Sequence, residues 1–295
     1  NSAVINEAVS EILRRADIRD GYCLDLGCGD GHLAYELAKQ TNLTIIAVDD
    51  DPANVLKARQ KLSAAGLYGT RVTVHHGSLE TTGYPKYFAN LIVSGRSIVD
   101  GAKSVTSSDL QRLQRPYGGV TCIGVPGEME YSKRGDLAGA GDWTHQYANP
   151  ANTVCSDDEL VTGSLGILWF RDFDLALPSR HGRGPAPLFH RGILFHEGLD
   201  ELRAVDAYNG REMWSYDLPE VLLAFDGDHL MGTAGTGSNF CVSDEGLFVR
   251  YGRTTVQIDP ETGLRIGEFL VPGEDKDAKW GYIATEGGHL FGTSA

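Results

Sequence analysis

The sequence lacks several things, and most of these absences remove a class of protein. No apolar run approaches the roughly 20 residues that a membrane-spanning helix needs. No basic, apolar and small-residue leader opens it. Asn1 stands where an initiator methionine would, so a processed or excerpted start is expected and the missing leader excludes nothing. The five cysteines, Cys23, Cys28, Cys122, Cys155 and Cys241, are scattered and form no Cys-x-x-Cys pair. An odd, sparse set excludes a disulfide framework and a zinc knuckle, and small buried thiols are expected. Basic charge is also short, with a formal net charge of -14. The acidic run Asp157-Asp158-Glu159 reads as a solvated turn, and no metal ligand set is expected.

What remains is long enough for two domains, and 41% hydrophobic residues can build their cores. The charge is unevenly placed. Residues 1–125 hold 13 Lys+Arg and 13 Asp+Glu, whereas residues 126–295 hold 13 and 27. All four tryptophans, Trp143, Trp169, Trp214 and Trp280, fall in the acidic part. Two compositions predict two domains, 1–125 and 142–295, joined by a Gly-rich linker over 126–141. A nucleic-acid backbone is excluded as a partner of the acidic half by like-charge repulsion.

The first half alternates between helical and strand periodicity. Ile5, Ala8, Val9, Ile12, Leu13 and Ala16 predict an amphipathic helix over 2–17. Strands are predicted at 22–26, 43–48, 71–76, 88–94 and 119–124. Helices are predicted at 31–39, from Pro52 to about Ala65, and at 109–115. Such alternation predicts a parallel sheet covered by helices on both faces, with ligands at the carboxyl ends of its strands.

The segment LDLGCGDGHLAYEL, residues 24–37, places Gly27, Gly29 and Gly31 between the first strand and a helix. Bare backbone there can approach a ligand. The spacing is Gly-x-Gly-x-Gly, not the dinucleotide Gly-x-Gly-x-x-Gly, and Asp25 sits two residues ahead of the first glycine. That carboxylate disfavours a pyrophosphate and favours a cationic amino group. A second acid, Asp49, ends the second strand and is followed by Asp50. A carboxylate at that place can accept hydrogen bonds from a ribose diol.

The run Asp25-Leu-Gly27-Cys28-Gly29-Asp-Gly31, together with Ala47-Val48-Asp49, resembles the class I methyltransferases. The resemblance covers residues 2–124. It implies a Rossmann-like fold and S-adenosylmethionine as cofactor, with Asp25, Gly27, Cys28, Gly29 and Gly31 at its methionine end. It further implies Asp49 and Asp50 at the ribose, and Ser78 and Leu79 beside the adenine. Ser78 stands where the family usually has an acid, Asn90 where the fourth strand usually starts with aspartate, and Gly95 also departs from the pattern. No catalytic residue is assigned: no Asn-Pro-Pro-Tyr segment follows strand four, and His75-His76 reads as a solvated or structural pair. The family's two closing strands are not expected in the Gly-rich stretch 126–141.

The second half repeats. Asp206 and Gly210 recur as Asp259 and Gly263, an offset of 53, and Gly192-Ile-Leu-Phe195 recurs near Gly246-Leu-Phe-Val249. Short strands at such a period predict propeller blades. The run from Ala204 to Trp214 resembles the docking motif of pyrroloquinoline-quinone-type β-propellers, which implies that Trp214 packs on a neighbouring blade. Gly267 replaces the tryptophan in the second copy. Quinone binding itself is not expected. Two repeats and a broken third predict an incomplete propeller, completed by further blades or a partner subunit. Asp142-Trp-Thr-His-Gln-Tyr147, Asn149-Pro-Ala-Asn152 and 180–184 read as a packed junction with a basic loop, or as the lining of a site.

Three functions follow. One is an S-adenosylmethionine-dependent methyltransferase, acceptor unknown, whose acceptor site the propeller completes. Another is a non-catalytic scaffold with a relic methyltransferase domain. The third is a quinone-dependent dehydrogenase. The cofactor's supply points to the cytoplasm and the propeller type to the periplasm.

Overall fold

The structure is a computed structural model that describes residues 2–105, 109–172, 174–177, 184–222 and 239–294. Its contacts divide the chain into two units, 1–137 and 138–295.

In the first unit, helix α1 (Ser2–Ala16) buries Ile5, Ala8, Val9, Ile12 and Leu13, the apolar stripe that the helical period places on one face. Strands β1 (Tyr22–Leu26), β2 (Thr44–Asp49), β3 (Val72–His76), β4 (Leu91–Val93) and β5 (Val120–Ile123) follow, with α2 (His32–Gln40) and α3 (Pro52–Ala64) between the first three. Pro52 opens α3 behind Asp51, whose side chain caps the Ala53 N–H. A short α4 (Gly95–Asp100) and the one-turn α5 (Leu110–Leu113) complete the helices. Helix α4 has no apolar period to reveal it; the Ser94 hydroxyl, accepting from the Ser97 N–H at 3.0 Å, caps it.

The sheet order is β3-β2-β1-β4-β5-β6, with β1 to β5 parallel. Strand β6 (Glu130–Lys133) pairs antiparallel with β5, so the sheet is mixed and, as the resemblance implies, mostly parallel. It lies inside the stretch expected as a linker. All four of its residues are exposed, so no apolar alternation marks them as strand. Glu11 of α1 accepts from the Gly127 N–H, and Arg15 donates to the Met129 carbonyl, which fixes the β5–β6 turn against α1. Residues alternating along the strands feed two cores: Cys23, Ile45, Val72 and Leu91 on one face, Leu24, Val48, Phe88 and Ile92 on the other. The order reverses between β1 and β4, where an open α/β sheet leaves a crevice at its carboxyl edge.

The second unit is antiparallel. One four-stranded sheet contains β7 (Leu188–His190), β8 (Ile193–Glu197), β9 (Glu201–Asp206) and β10 (Glu212–Asp217). A second contains β11 (Phe240–Ser243), β12 (Gly246–Tyr251), β13 (Thr254–Ile258) and β14 (Arg265–Leu270). A hairpin, β15 (Trp280–Glu286) with β16 (His289–Ser294), forms a third. The repeat is reproduced bond for bond: the Gly210 N–H donates to the Asp206 carbonyl and the Gly263 N–H to the Asp259 carbonyl, both at 2.9 Å. Each turn is followed by a bulge in the next strand, between Glu212 and Trp214 and again opposite Gln257 and Ile258. Each of the first two sheets has four strands.

Trp214 packs on the second copy of the turn. Its indole N–H donates to the Pro260 carbonyl at 2.9 Å, and a Cβ on Gly263 would sit 2.7 Å from its ring. Trp169 does the same on the first copy, donating to the Ala207 carbonyl at 2.8 Å with its ring over Gly210. The junction residues are taken up in packing. His190 bridges Asp142 and Asp244, Gln146 accepts from the Ala186 N–H, and His145 accepts from the Thr285 N–H at 3.1 Å. Of the basic loop at 180–184, residues 180–183 lie outside the described residues. Asp158 accepts from the Gly141, Leu160 and Val161 N–H groups, which accounts for the acidic run as a turn. Cys155 is exposed, contrary to the expectation of buried thiols, because it sits in an irregular segment; the other four are buried.

Candidate functional site

The loop after β1 is shaped by backbone hydrogen bonds. The N–H groups of Gly27 and Cys28 both donate to the Val48 carbonyl, at 2.8 and 3.1 Å. The Gly29 N–H donates to Asp49 Oδ2 at 2.9 Å. Gly27, Gly29 and Gly31 have φ of 71°, 56° and 77°, a region that side chains with a Cβ rarely adopt. The expectation that the glycines are bare to leave room for a ligand fails at Gly27 and Gly31. A Cβ on Gly31 would press on Ala58 of α3 at 3.0 Å, and one on Gly27 would meet Arg96 Cβ at 2.8 Å. A Cβ on Gly29 would meet no protein atom within 4 Å, so the space over it, at the cavity wall, is open.

Asp25 is fully buried. Its Oδ1 accepts from the Gly95 N–H at 2.8 Å, which ties the β4–α4 corner to β1. Its Oδ2 has no hydrogen-bond partner. Burial pushes this carboxyl up to about 7, against the lowering effect of the Gly95 N–H, and Asp49 adds to the rise. Asp49 is also buried. Besides the Gly29 N–H, it accepts from the Asp51 N–H at 2.9 Å and the Asn54 amide at 3.2 Å. Asp50 is half exposed and held by the Arg96 guanidinium, which also lies 3.5 Å from Asp49 Oδ1. Burial, with Asp25 and Asp49 nearby, raises the Cys28 thiol well above its ordinary value, which disfavours a thiolate nucleophile.

These groups border a cavity of about 340 Å³. Gly27, Cys28, Gly29 and Asp49 line it, joined by Asp30, His32, Asn54, Gly95, Arg96 and Asp100. Asp25, Gly31, Asp50, Ser78 and Leu79 do not. Leu79 nevertheless borders the loop, 3.4 Å from a Cβ placed on Gly27. The Ser78 hydroxyl accepts from the Glu80 and Thr81 N–H groups, a local turn. The Asn90 side chain accepts from the Tyr22 N–H, which aligns β4 with β1. His75 bonds the Tyr84 hydroxyl and His76 the Asp50 carbonyl, so both histidines have structural partners. Arg96 escaped the sequence reading because only the β4–α4 corner brings it to the loop; its N–H donates to the Gly27 carbonyl at 2.7 Å.

The chemistry follows from where the N–H groups point. An anion cradle presents successive backbone N–H groups outward. Here those of Gly27, Cys28 and Gly29 turn inward to β2 and Asp49, and the cavity wall carries the carboxylates Asp30, Asp49 and Asp100. Such a wall suits a ligand with positive charge and a diol rather than a pyrophosphate.

Residues 23–118 match the family model described as a methyltransferase domain. Over those residues the first unit is similar to a methyltransferase domain. Among solved structures, the chain is similar to a protein assigned as an S-adenosyl-L-methionine-dependent methyltransferase from Methanococcus maripaludis, at 28% identity and a TM-score of 0.37, over 42% of this chain and 56% of that one. It is also similar to a protein assigned as a sarcosine dimethylglycine methyltransferase from Galdieria sulphuraria, at 24% identity and a TM-score of 0.35, over 41% and 46%. A third is a SAM-dependent methyltransferase from Aquifex aeolicus, at 18% identity and a TM-score of 0.34, over 42% and 71%. The chain spans about half the length of the first two. No curated protein matches it. Among the described residues, no helix is long and apolar enough to cross a membrane, and no group of three or more His, Cys, Asp or Glu side chains could hold a metal ion.

Proposed function

We propose that the first unit binds S-adenosylmethionine in the cavity at the carboxyl ends of β1, β2 and β4, and transfers its methyl group to an acceptor. The observation that carries this reading is the inward-turned glycine loop beside three carboxylates. The cofactor would supply an electrophilic methyl on a sulfonium. The chain's part is to seat it. Asp49 takes the ribose hydroxyls with the acceptor capacity that the Gly29, Asp51 and Asn54 donors leave. Asp30 and Asp100 offset the positive charge. Gly27, Cys28, Gly29 and Gly31 set the loop backbone, Asp25 holds the Gly95 corner in place, and Leu79 with Ser78 flanks the adenine. Calorimetry with S-adenosylmethionine and S-adenosylhomocysteine tests it: binding is expected, and no heat at millimolar ligand would refute it. Asp49→Ala should weaken binding about ten- to a hundredfold, the loss of roughly 1.5–3 kcal/mol for a charged acceptor.

The second unit reads as part of a β-propeller. Its support is the pair of four-stranded antiparallel sheets joined by the Trp214 contact, with a second tryptophan, Trp169, laid on the equivalent turn of the first sheet. A scaffold function is favoured by one observation, the Arg96 guanidinium lying across the acids expected to meet the ribose. Methyl transfer to no acceptor, despite tight cofactor binding, would decide for the scaffold. Nothing among the described residues favours the quinone-dependent dehydrogenase.

A further inference from the structure

We infer that Arg96 recognises the carboxylate at the amino-acid end of the cofactor, and that Asp49 and Asp50 hold its guanidinium until a ribose displaces it. The inference rests on the cofactor site proposed above.

Arg96 is built into the loop. Its N–H donates to the Gly27 carbonyl at 2.7 Å, and its side chain runs over Gly27, with Cβ and Nε 2.8 and 3.1 Å from a Cβ placed there. From this crossing its guanidinium reaches both oxygens of Asp50 and comes within 3.5 Å of Asp49 Oδ1. A diol bound at Asp49 competes for the same carboxylate. The guanidinium then loses its buried partner and keeps only Asp50, which is 51% exposed and screened by water.

Charge decides where the guanidinium goes next. The cavity wall carries Asp30, Asp49 and Asp100, and Arg96 is the only arginine or lysine among its lining residues. Asp30 is already paired with Lys61 at 2.7 Å, so a ligand carboxylate entering that wall is repelled chiefly by Asp49 and Asp100 unless the guanidinium meets it. The planar fork suits a carboxylate, and a carboxylate held inside the cleft is less hydrated than Asp50. One arginine thus has two sets of partners, an internal one without cofactor and a ligand one with it. A nucleoside without the carboxylate must still displace Arg96 from Asp49 and gains nothing in return. Arg96 therefore makes the site selective for the whole amino-acid nucleoside over its fragments.

The test compares S-adenosylhomocysteine with 5′-methylthioadenosine, which keeps the nucleoside and the thioether and lacks the amino-acid group. Calorimetry on the full chain measures both ligands against wild type, Arg96→Ala and Arg96→Lys. In Arg96→Ala, methylthioadenosine should bind more tightly and S-adenosylhomocysteine should not, so that their affinity ratio falls about tenfold or more. Arg96→Lys should restore part of the ratio, because it keeps the charge and loses the fork. Equal changes for the two ligands would overturn the inference and leave the cofactor site standing. Failure of both ligands to bind every variant would remove the cofactor site itself.

Discussion

At the scale of single residues, the first unit is governed by carboxylates with unequal partners. Asp25 has a folded-state pKa of about 7, above its ordinary 3.8, because burial outweighs the bond from Gly95. The folded chain therefore keeps a proton that the unfolded chain loses. The stability this group contributes is complete below about pH 4 and lost as pH rises through about 7. Asp25→Asn should flatten that slope. Urea midpoints at about pH 5 and about pH 8, read by hydrogen exchange in peptides covering β1 and β4, check it. A wild-type midpoint that rises with pH, unaltered by the substitution, would contradict it.

At the scale of elements, the tryptophan-on-turn contact is the joint between successive sheets of the second unit. Gly263 has φ +72° and lies under the Trp214 ring. Gly263→Ala should therefore both strain the backbone and displace the indole, at a cost of roughly 1–3 kcal/mol. Trp214→Phe should lose about 1 kcal/mol with the bond to Pro260. Urea unfolding followed by circular dichroism measures both. In the first unit, Asp51→Ala should lower stability by about 1 kcal/mol, because the Ala53 N–H at the start of α3 loses its cap.

At the scale of the whole chain, each unit has its own cores, and all four tryptophans belong to the second. A ligand of the first unit should raise that unit's stability by about 2.7 kcal/mol at a hundred times its Kd. Urea unfolding of the first unit, followed by hydrogen exchange in peptides covering β1 and β4 with and without S-adenosylhomocysteine, measures it. The second unit has its own acid limb. Burial pushes His145 down to about 4 from 6.5, and its ring accepts a bond only when neutral. Its contribution is complete above about pH 6.5 and lost as pH falls towards 4. Glu197, pushed up to about 8 by burial, slopes the other way, so the informative quantity is the difference between wild type and His145→Gln. That difference should shrink between pH 6.5 and 4 when followed by tryptophan fluorescence.

The sequence by itself determined the elements that carry a period or a backbone signature. Helix α1 was legible because burial on one face imposes spacing on the apolar residues, strands β1 to β3 and β5 because burial in the sheet makes short apolar runs, and α3 because Pro52 marks its start. The Asp-x-x-x-Gly turns were legible because glycine alone tolerates both the left-handed backbone and the ring laid on it. The loop glycines and Asp49 were legible for the same kind of local reason. Strand β6 was not, because its exposed residues pair through backbone groups that every residue has. Helix α4 was not, because one serine cap starts it. The partners of the site's charges were decided only by the tertiary structure. Asp25 meets Gly95 across 70 residues and Arg96 meets Asp50 across 46, and no local pattern encodes such pairs. The order of the strands sets them: β4 lies beside β1, which delivers the β4–α4 corner to the glycine loop.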